Sequence, residues 1–300
     1  MKKQSKGPRI YVRKARLTDR EVVFKFCEKT WSWGDYIQKV WDKWLAMENA
    51  RLFVATINKK PVGMSHISID KPHEVWLRAA RTDPNYRQLG IATAITKTCL
   101  KYAKKKGAKI ARLVTDSDNI AAQAVLRKTG FKLVAEFIEA KTENTTRENG
   151  ENSRWAEKID VEKLWSYLQT SKIYRETAGL YTVLFQWFSL EKHDLERFIS
   201  ERKAILHRNE TNEIDGLMLI DDTTASEWRE NSIQTAYIDG SYNAVFSMIQ
   251  FLKNFCFDSG IKLIYGFAPK TNLMITVLKK HNFKIPSSID IVYEKKIDGN

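Results

Sequence analysis

Cysteine is scarce in this 300-residue chain: Cys27, Cys99 and Cys256 stand far apart, are odd in number and show no CxxC spacing. That argues against a disulfide framework and a zinc knuckle, and it predicts reduced, mostly buried thiols and no metal centre. Long apolar runs are missing too. No stretch reaches the roughly 18 uninterrupted apolar residues of a membrane span. The opening Met-Lys-Lys-Gln-Ser-Lys-Gly-Pro is charged with no apolar segment behind it, unlike a secretory leader. A cytoplasmic protein without membrane contact is the expectation. With 43% hydrophobic and 29% charged residues the chain has an ordinary core-forming composition, and at about 100 to 200 residues per domain it should hold two domains.

Positive excess is absent from one half. Residues 1–145 hold 30 Lys+Arg against 14 Asp+Glu, and residues 146–300 hold 20 against 22, so the net +14 arises wholly in the first half. Such a field suits a polyanion, either nucleic acid or a phosphorylated cofactor. The basic residues are scattered, however, and lack a stripe of stacking aromatics, which makes nucleic acid an unlikely partner.

The polar run Thr142 to Ser153 reads as a linker. It predicts a first domain over 1–145, a linker over 146–155 and a second domain over 156–300. In the first domain, Arg9 to Arg16 reads as a strand. Thr18 has capping-box spacing to Glu21, which marks it as the opener of the next helix, and Trp33 to Met47 reads as an aromatic helix. Arg51 to Ile57 and Val62 to Ile69 form a hairpin, and Glu74 to Thr82 is a strand stopped by Asp83-Pro84. Gly90 to Lys106 is a helix, Ile110 to Thr115 a strand, Asn119 to Thr129 a helix, and Phe131 to Ile138 a closing strand. The fold class is α/β with a mixed sheet.

The second half repeats these landmarks. Gly63 matches Gly216, and Gly107-Ala-Lys-Ile110 matches Gly260-Ile-Lys-Leu263, both 153 residues apart; Val125 to Phe131 matches Val277 to Phe283 at 152. Two copies of one domain follow, with Val161 to Arg208 an enlarged version of the opening helices.

The segment Asp83-Pro-Asn-Tyr-Arg-Gln-Leu-Gly-Ile-Ala92 runs from a strand through a Gly-containing turn into a helix. Such a turn gathers backbone N–H groups at the positive end of a helix dipole, where a pyrophosphate can bind. With Arg87-Gln-Leu-Gly-Ile-Ala92 as R-x-x-G-x-A, and with Asn119 and Gly130-Phe131 beyond, the region resembles the acyl-CoA-binding core of the GNAT acetyltransferase superfamily. The chain thus resembles a tandem member of that superfamily, with two GNAT-like domains of which the second is degenerate.

The resemblance implies a β-bulge that splays Glu74–Thr82 from Ile110–Thr115. It implies acetyl-CoA held by the amides of Gln88, Leu89, Gly90, Ile91 and Ala92, assisted by Arg87. Main-chain groups of Ala80, Arg81 and Thr82 would lie along pantetheine, with Asn119 on the same arm and Lys128, or equally Arg127, towards the phosphates. Glu74, or alternatively Asp116, would accept the amine proton; His66 and His73 are further candidates, and Asp118 is a helix cap. Leu126 stands where many members carry a proton-donating Tyr. Trp33, Asp35 and Tyr36, around Gly34, would recognise the acceptor, with Asp35 pairing its ammonium.

At the 153 offset Arg87, Gly90 and Ala92 become Gly240, Asn243 and Val245. One acetyl-CoA per chain is therefore expected, in the first domain, with the second walling the acceptor pocket. The expected activity is acetyl transfer to a primary amine of a small molecule or peptide by direct attack in a ternary complex. The alternatives are a longer-chain acyl or aminoacyl transferase, and a non-catalytic nucleic-acid-binding or regulatory module.

Overall fold

The structure is a computed structural model that describes residues 8–30, 34–143, 145–147, 152–222 and 230–297. It divides into two compact units: Met1–Leu113, Ile120–Lys132 and Tyr293–Asn300 form the first, and Val114–Asn119 and Leu133–Val292 the second. Among the described residues no helix is long and apolar enough to cross a membrane.

The first unit contains β1 (Tyr11–Lys14), α1 (Arg20–Cys27), α2 (Ile37–Ala46), β2 (Ala50–Ile57), β3 (Lys60–Lys71), β4 (Glu74–Thr82), α3 (Ile91–Lys105), most of β5 (Ile110–Asp116) and α4 (Ile120–Lys128). Its sheet runs β1-β2-β3-β4-β5, antiparallel up to β4, and the β4–β5 pair is parallel. Successive strand residues face opposite sides, and the two sides carry different helices. Leu52, Val54, Met64 and Ala79 pack against Val23, Cys27, Val40, Trp41 and Trp44 of α1 and α2. Gly63 and Ser65 face α3, whose Ile91, Ile95 and Cys99 lie against them.

The second unit contains most of β6 (Lys132–Thr142), then β7 (Ser153–Trp155), α5 (Val161–Thr170), α6 (Lys172–Glu176), β8 (Leu180–Val183), β9 (Gln186–Ser189), α7 (Lys192–Ser200), β10 (Ala204–Arg208), β11 (Ile214–Asp221), β12 (Ser232–Gly240), α8 (Tyr242–Asp258), β13 (Leu263–Pro269), α9 (Asn272–Lys280) and the start of β14 (Asp290–Lys296). Its strands follow the order β6-β13-β12-β11-β10-β7. Alternation again separates two layers: Ile205, Met218 and Ile220 pack under α8 and α9, while Leu206, Leu217 and Leu219 pack under α5 and α7.

The repeat has a steric basis. A Cβ on Gly63 would come within 2.6 Å of Ile91 in α3, and a Cβ on Gly216 within 2.7 Å of Ala244 in α8. Ile91 and Ala244 are themselves 153 apart, so each glycine lets the following helix press onto its strand. A second landmark escapes a reading based on glycines. Arg13 clamps Asp19 with two 2.7 Å bonds before α1, and Arg154 donates to Asp160 at 2.8 Å before α5. In each copy the aspartate also accepts a backbone N–H three residues earlier, from Arg16 or from Glu157. Asp19, rather than Thr18, therefore organises the start of the first helical segment.

The unit boundaries differ from a cut at the polar linker. Leu133–Thr142, which closes the first half in sequence, belongs to the second unit, where Phe137–Thr142 pairs antiparallel with β13; Tyr293–Lys296 belongs to the first. Each unit takes its closing strand from the other half of the chain. All three cysteines are buried, and burial pushes each thiol up to about 12.

One carboxylate in the second unit makes stability depend on pH. Burial, followed by the charges of Asp116 and Glu139, pushes Asp290 up to about 7. Because this folded value lies above the unfolded one of roughly 3.9, its contribution is fully present below pH 4 and is lost as pH rises through 7. Asp290→Asn is expected to melt above the parent at pH 8 and alongside it at pH 4, as read by calorimetric Tm.

Candidate active site

Strand β4 pairs with β5 only at Glu74, Val75 and Trp76. From Leu77 to Thr82 its outer edge has no ladder partner among the described residues. The separation coincides with a bulge: Met64 lies opposite Arg81 and His66 opposite Arg78, so Ser65 alone faces both Ala79 and Ala80. Ala79 takes φ +57°, uncommon for a residue with a Cβ, and Ser65 Oγ donates to the Arg78 carbonyl at 3.1 Å beside it. The bulge kinks the strand and presents its main chain to the open side.

Beyond β4, Asp83 accepts the Asn85 amide at 3.0 Å and starts a short turn over Pro84–Tyr86. The chain passes through positive φ at Gln88 (64°) and Gly90 (84°) before entering α3. Gly90 is the N-cap and brings no side chain to the helix end. Among the described residues the amides of Gln88, Leu89, Gly90, Ile91 and Ala92 have no hydrogen-bond partner, and a Cβ built on Gly90 meets nothing within 4 Å. Several orphan donors thus gather at the positive end of a 15-residue helix. These residues fit a pyrophosphate.

The corresponding place in the second unit is closed. Gly63 lies opposite Thr82 and Gly216 opposite Gly240. From those strand ends the first unit needs the residues 83–90 to reach α3, whereas the second needs only Ser241 to reach α8. Ser241 Oγ accepts the Ala244 amide at 3.2 Å, supplying the cap that α3 lacks, and a Cβ on Gly240 would meet Ala244 at 3.0 Å. Ser241→Ala is expected to cost about 1 kcal/mol of stability, measured by urea denaturation.

On the α2 side of β4 a polar and aromatic cluster is assembled from residues distant in sequence. Arg81 Nε donates to Asp35 Oδ2 at 2.8 Å, and its guanidinium lies 5.7 Å from the Tyr36 ring. Arg78 lies 5.7 Å from Trp44, which stacks on His66 at 4.2 Å. Arg78 also donates to Ser68 Oγ at 2.8 Å and to Asp70 at 3.3 Å. His66 is fully buried with neither ring nitrogen hydrogen-bonded, and burial, then Arg78, pulls it down to about 3. It stays neutral in the physiological range. Burial raises the Tyr36 hydroxyl above its ordinary value.

Asp35 and Tyr36 therefore do meet β4 at the bulge, but the Asp35 carboxylate is already held by Arg81 and is not left over for a substrate ammonium. Trp33 lies outside the described residues. Glu74 is buried at the paired end of β4, five residues from Ala79 or about 17 Å along a strand, and it accepts Arg112 Nη1 at 2.7 Å. Arg112 Nε donates to Glu294 at 2.8 Å. The carboxylate expected as the base is thus part of a buried ion network. Asp116 accepts Ser288 Oγ at 2.6 Å, and Asp116 and Asn119 both fall within the second unit. Arg87 is exposed on the loop, and Arg127 and Lys128 are exposed in the last turn of α4, where cations suit the dipole. Leu126 is buried. Arg78, Trp44 and Arg112 were not anticipated. A charged residue inside the apolar run Val75 to Ala80 was the available signal for Arg78.

Residues 20–131 match the profile of the Acetyltransferase (GNAT) family. An uncharacterized N-acetyltransferase of Methanocaldococcus jannaschii is 31% identical over 108 residues, which are 32% of this chain and 48% of that protein, so the chain spans about half the length of this curated relative. Among solved structures, a GCN5-related N-acetyltransferase from Sphaerobacter thermophilus aligns over 97% of both chains with TM-score 0.61 and 8% identity. A tandem GNAT protein from the clavulanic acid biosynthesis pathway aligns over 97% of this chain and 100% of that one, with TM-score 0.52 and 10% identity. At such identities these two structures speak for the fold alone.

Proposed function

We propose that the chain is a member of the GNAT acetyltransferase superfamily, whose profile its residues 20–131 match, and that its first unit binds one acetyl-CoA and passes the acetyl group to a primary amine of a small molecule or peptide. The observation that carries this reading is the row of unpartnered amides from Gln88 to Ala92, next to a strand whose edge is open past its bulge. Acetyl-CoA supplies an acetyl thioester, the acyl donor.

The chain's own groups do the rest. The amides at the head of α3 and the exposed Arg87 hold negative charge. Main-chain groups of Ala80, Arg81 and Thr82 orient the donor along the open edge, and an N–H aimed at the carbonyl oxygen there acts as an oxyanion donor. Tyr36 lies beside Arg81 on the α2 side. Asp35 orients Arg81. Each carboxylate named at β4 is engaged by an arginine: Asp35 by Arg81, Asp70 by Arg78 and Glu74 by Arg112. The proton of the attacking amine accordingly leaves to water at the open edge, and Glu74 serves the fold. The closed loop at Ser241 supports one donor site per chain.

Titration calorimetry with acetyl-CoA, followed by thiol-release assays over a library of amines, tests the proposal. One equivalent of binding and thiol release that requires an amine are expected. Absence of heat with acetyl-CoA overturns it.

A further inference from the structure

The Arg78 guanidinium is incompletely used. One terminal nitrogen serves Ser68 and Asp70, while Nε is buried without a partner. The hydrogen bonds that Arg78 donates among the described residues all come from Nη2, which leaves Nη1 unfilled, and 27% of the side chain remains exposed. Arg81, the other cation of the cluster, is committed to Asp35 with its side chain 14% exposed. Arg78 directly precedes the bulge, and its side chain shares the α2 face with Trp44 and His66, opposite the face that carries α3. It thus stands where an acceptor approaching from the α2 side would meet β4.

Building on the acetyltransferase reading above, we infer that the acceptor carries a carboxylate near its amine, and that Arg78 is the specificity-determining residue that binds this carboxylate. Two physical arguments converge. A guanidinium with unfilled N–H groups in a partly desolvated place gains most from an anion, and a carboxylate matches its planar edge. Burial holds Arg78 below the ordinary arginine range, consistent with a cation short of partners. The carboxylates facing the cluster, Asp35 and Asp70, are in ion pairs already, so the cluster offers a bare ammonium no unshared anion. A zwitterionic acceptor meets both conditions: its carboxylate takes Arg78, and its ammonium arrives without needing a pocket anion. One unfilled terminal nitrogen, Nη1, suits a single carboxylate oxygen better than a phosphate, which calls for more donors.

The test uses the full chain, acetyl-CoA and matched acceptors: the common amino acids, the amines that lack their carboxylates, their amides, and aminoalkyl phosphonates. Removing the carboxylate is expected to lower kcat/KM about 10- to 100-fold, mostly through KM, as for loss of a charge-assisted contact. In Arg78→Gln the ratio between each amino acid and its amine should collapse towards one, and Arg78→Lys should restore part of it. Acetyl-CoA titration and melting of both variants establish that they are folded. Equal rates for amines and amino acids in the parent, preference for phosphonates, or an equal loss by Arg78→Gln towards both members of a pair overturns the inference and leaves the acetyltransferase reading standing. Absence of heat when the parent is titrated with acetyl-CoA overturns both.

Discussion

Replacing Gly90 with aspartate is expected to weaken acetyl-CoA binding by at least about 100-fold while the protein stays folded. Gly90 has φ +84° and open space around its Cβ direction. The folded chain therefore meets only the left-handed penalty, about 1–2 kcal/mol for an ordinary residue and less for Asp or Asn, which visit that region most readily. The new carboxylate would sit among the amides of Gln88 to Ala92 and compete with a phosphate for the same donors. Each lost charge-assisted hydrogen bond is worth about 1.5–3 kcal/mol, and repulsion between anions adds to it. Gly90→Asn has nearly the same shape without the charge and should weaken binding only about tenfold. Calorimetric Kd values for both, with Tm values agreeing within a few degrees, check the claim. If aspartate and asparagine weaken binding equally, the effect is steric and the electrostatic account of the loop fails.

Arg112→Ala should be the most destabilising single change in the first unit. Arg112 is 4% exposed at its side chain, and its partners Glu74 and Glu294 are 10% and 15% exposed. Its removal leaves two carboxylates facing each other in a poorly solvated place. Breaking such a buried pair costs about 3–5 kcal/mol, far above the worth of a surface bridge. Urea unfolding should show the midpoint falling with little change in slope. Glu74→Gln supplies the functional counterpart. It keeps an oxygen for Arg112, so it should cost stability moderately while kcat stays within about threefold. A large fall in kcat at neutral pH with an unchanged midpoint would return Glu74 to the role of base.

These two residues show what local pattern carries and what it does not. Strand β4 was legible from Glu74 to Thr82 because Asp83-Pro84 ends it, and α3 because its apolar spacing runs from Ile91 to Gly107. The anion loop followed from Gly90. The state of the carboxylates was not legible, since Asp35 finds Arg81 46 residues away and Glu74 finds Arg112 38 residues away, pairings that only the assembled sheet creates. The bulge was implied by family resemblance, but its residue, Ala79, has a Cβ and gave no glycine signal. Phe131 to Ile138 read as the strand closing the first domain, and alternation of side chains says which face is buried without saying which sheet a strand joins. The register of the second copy moved for a related reason. Aligning glycines placed Gly240 inside the loop, whereas the ladder opposite Gly216 makes it the end of β12.

The exchange of closing strands bears on biosynthesis. Domains generally acquire structure as they leave the ribosome, earlier ones first. Here the first unit must wait for Tyr293 onwards, which is synthesised only after most of the second unit. A nascent chain stalled near the polar linker would expose an unfinished β5 edge, and a recombinant fragment cut at residue 145 would be missing the Glu294 partner of Arg112. Shortened products should therefore be less stable and prone to aggregation, because the edge of β5 and the Arg112 guanidinium are both left without their late-made partners.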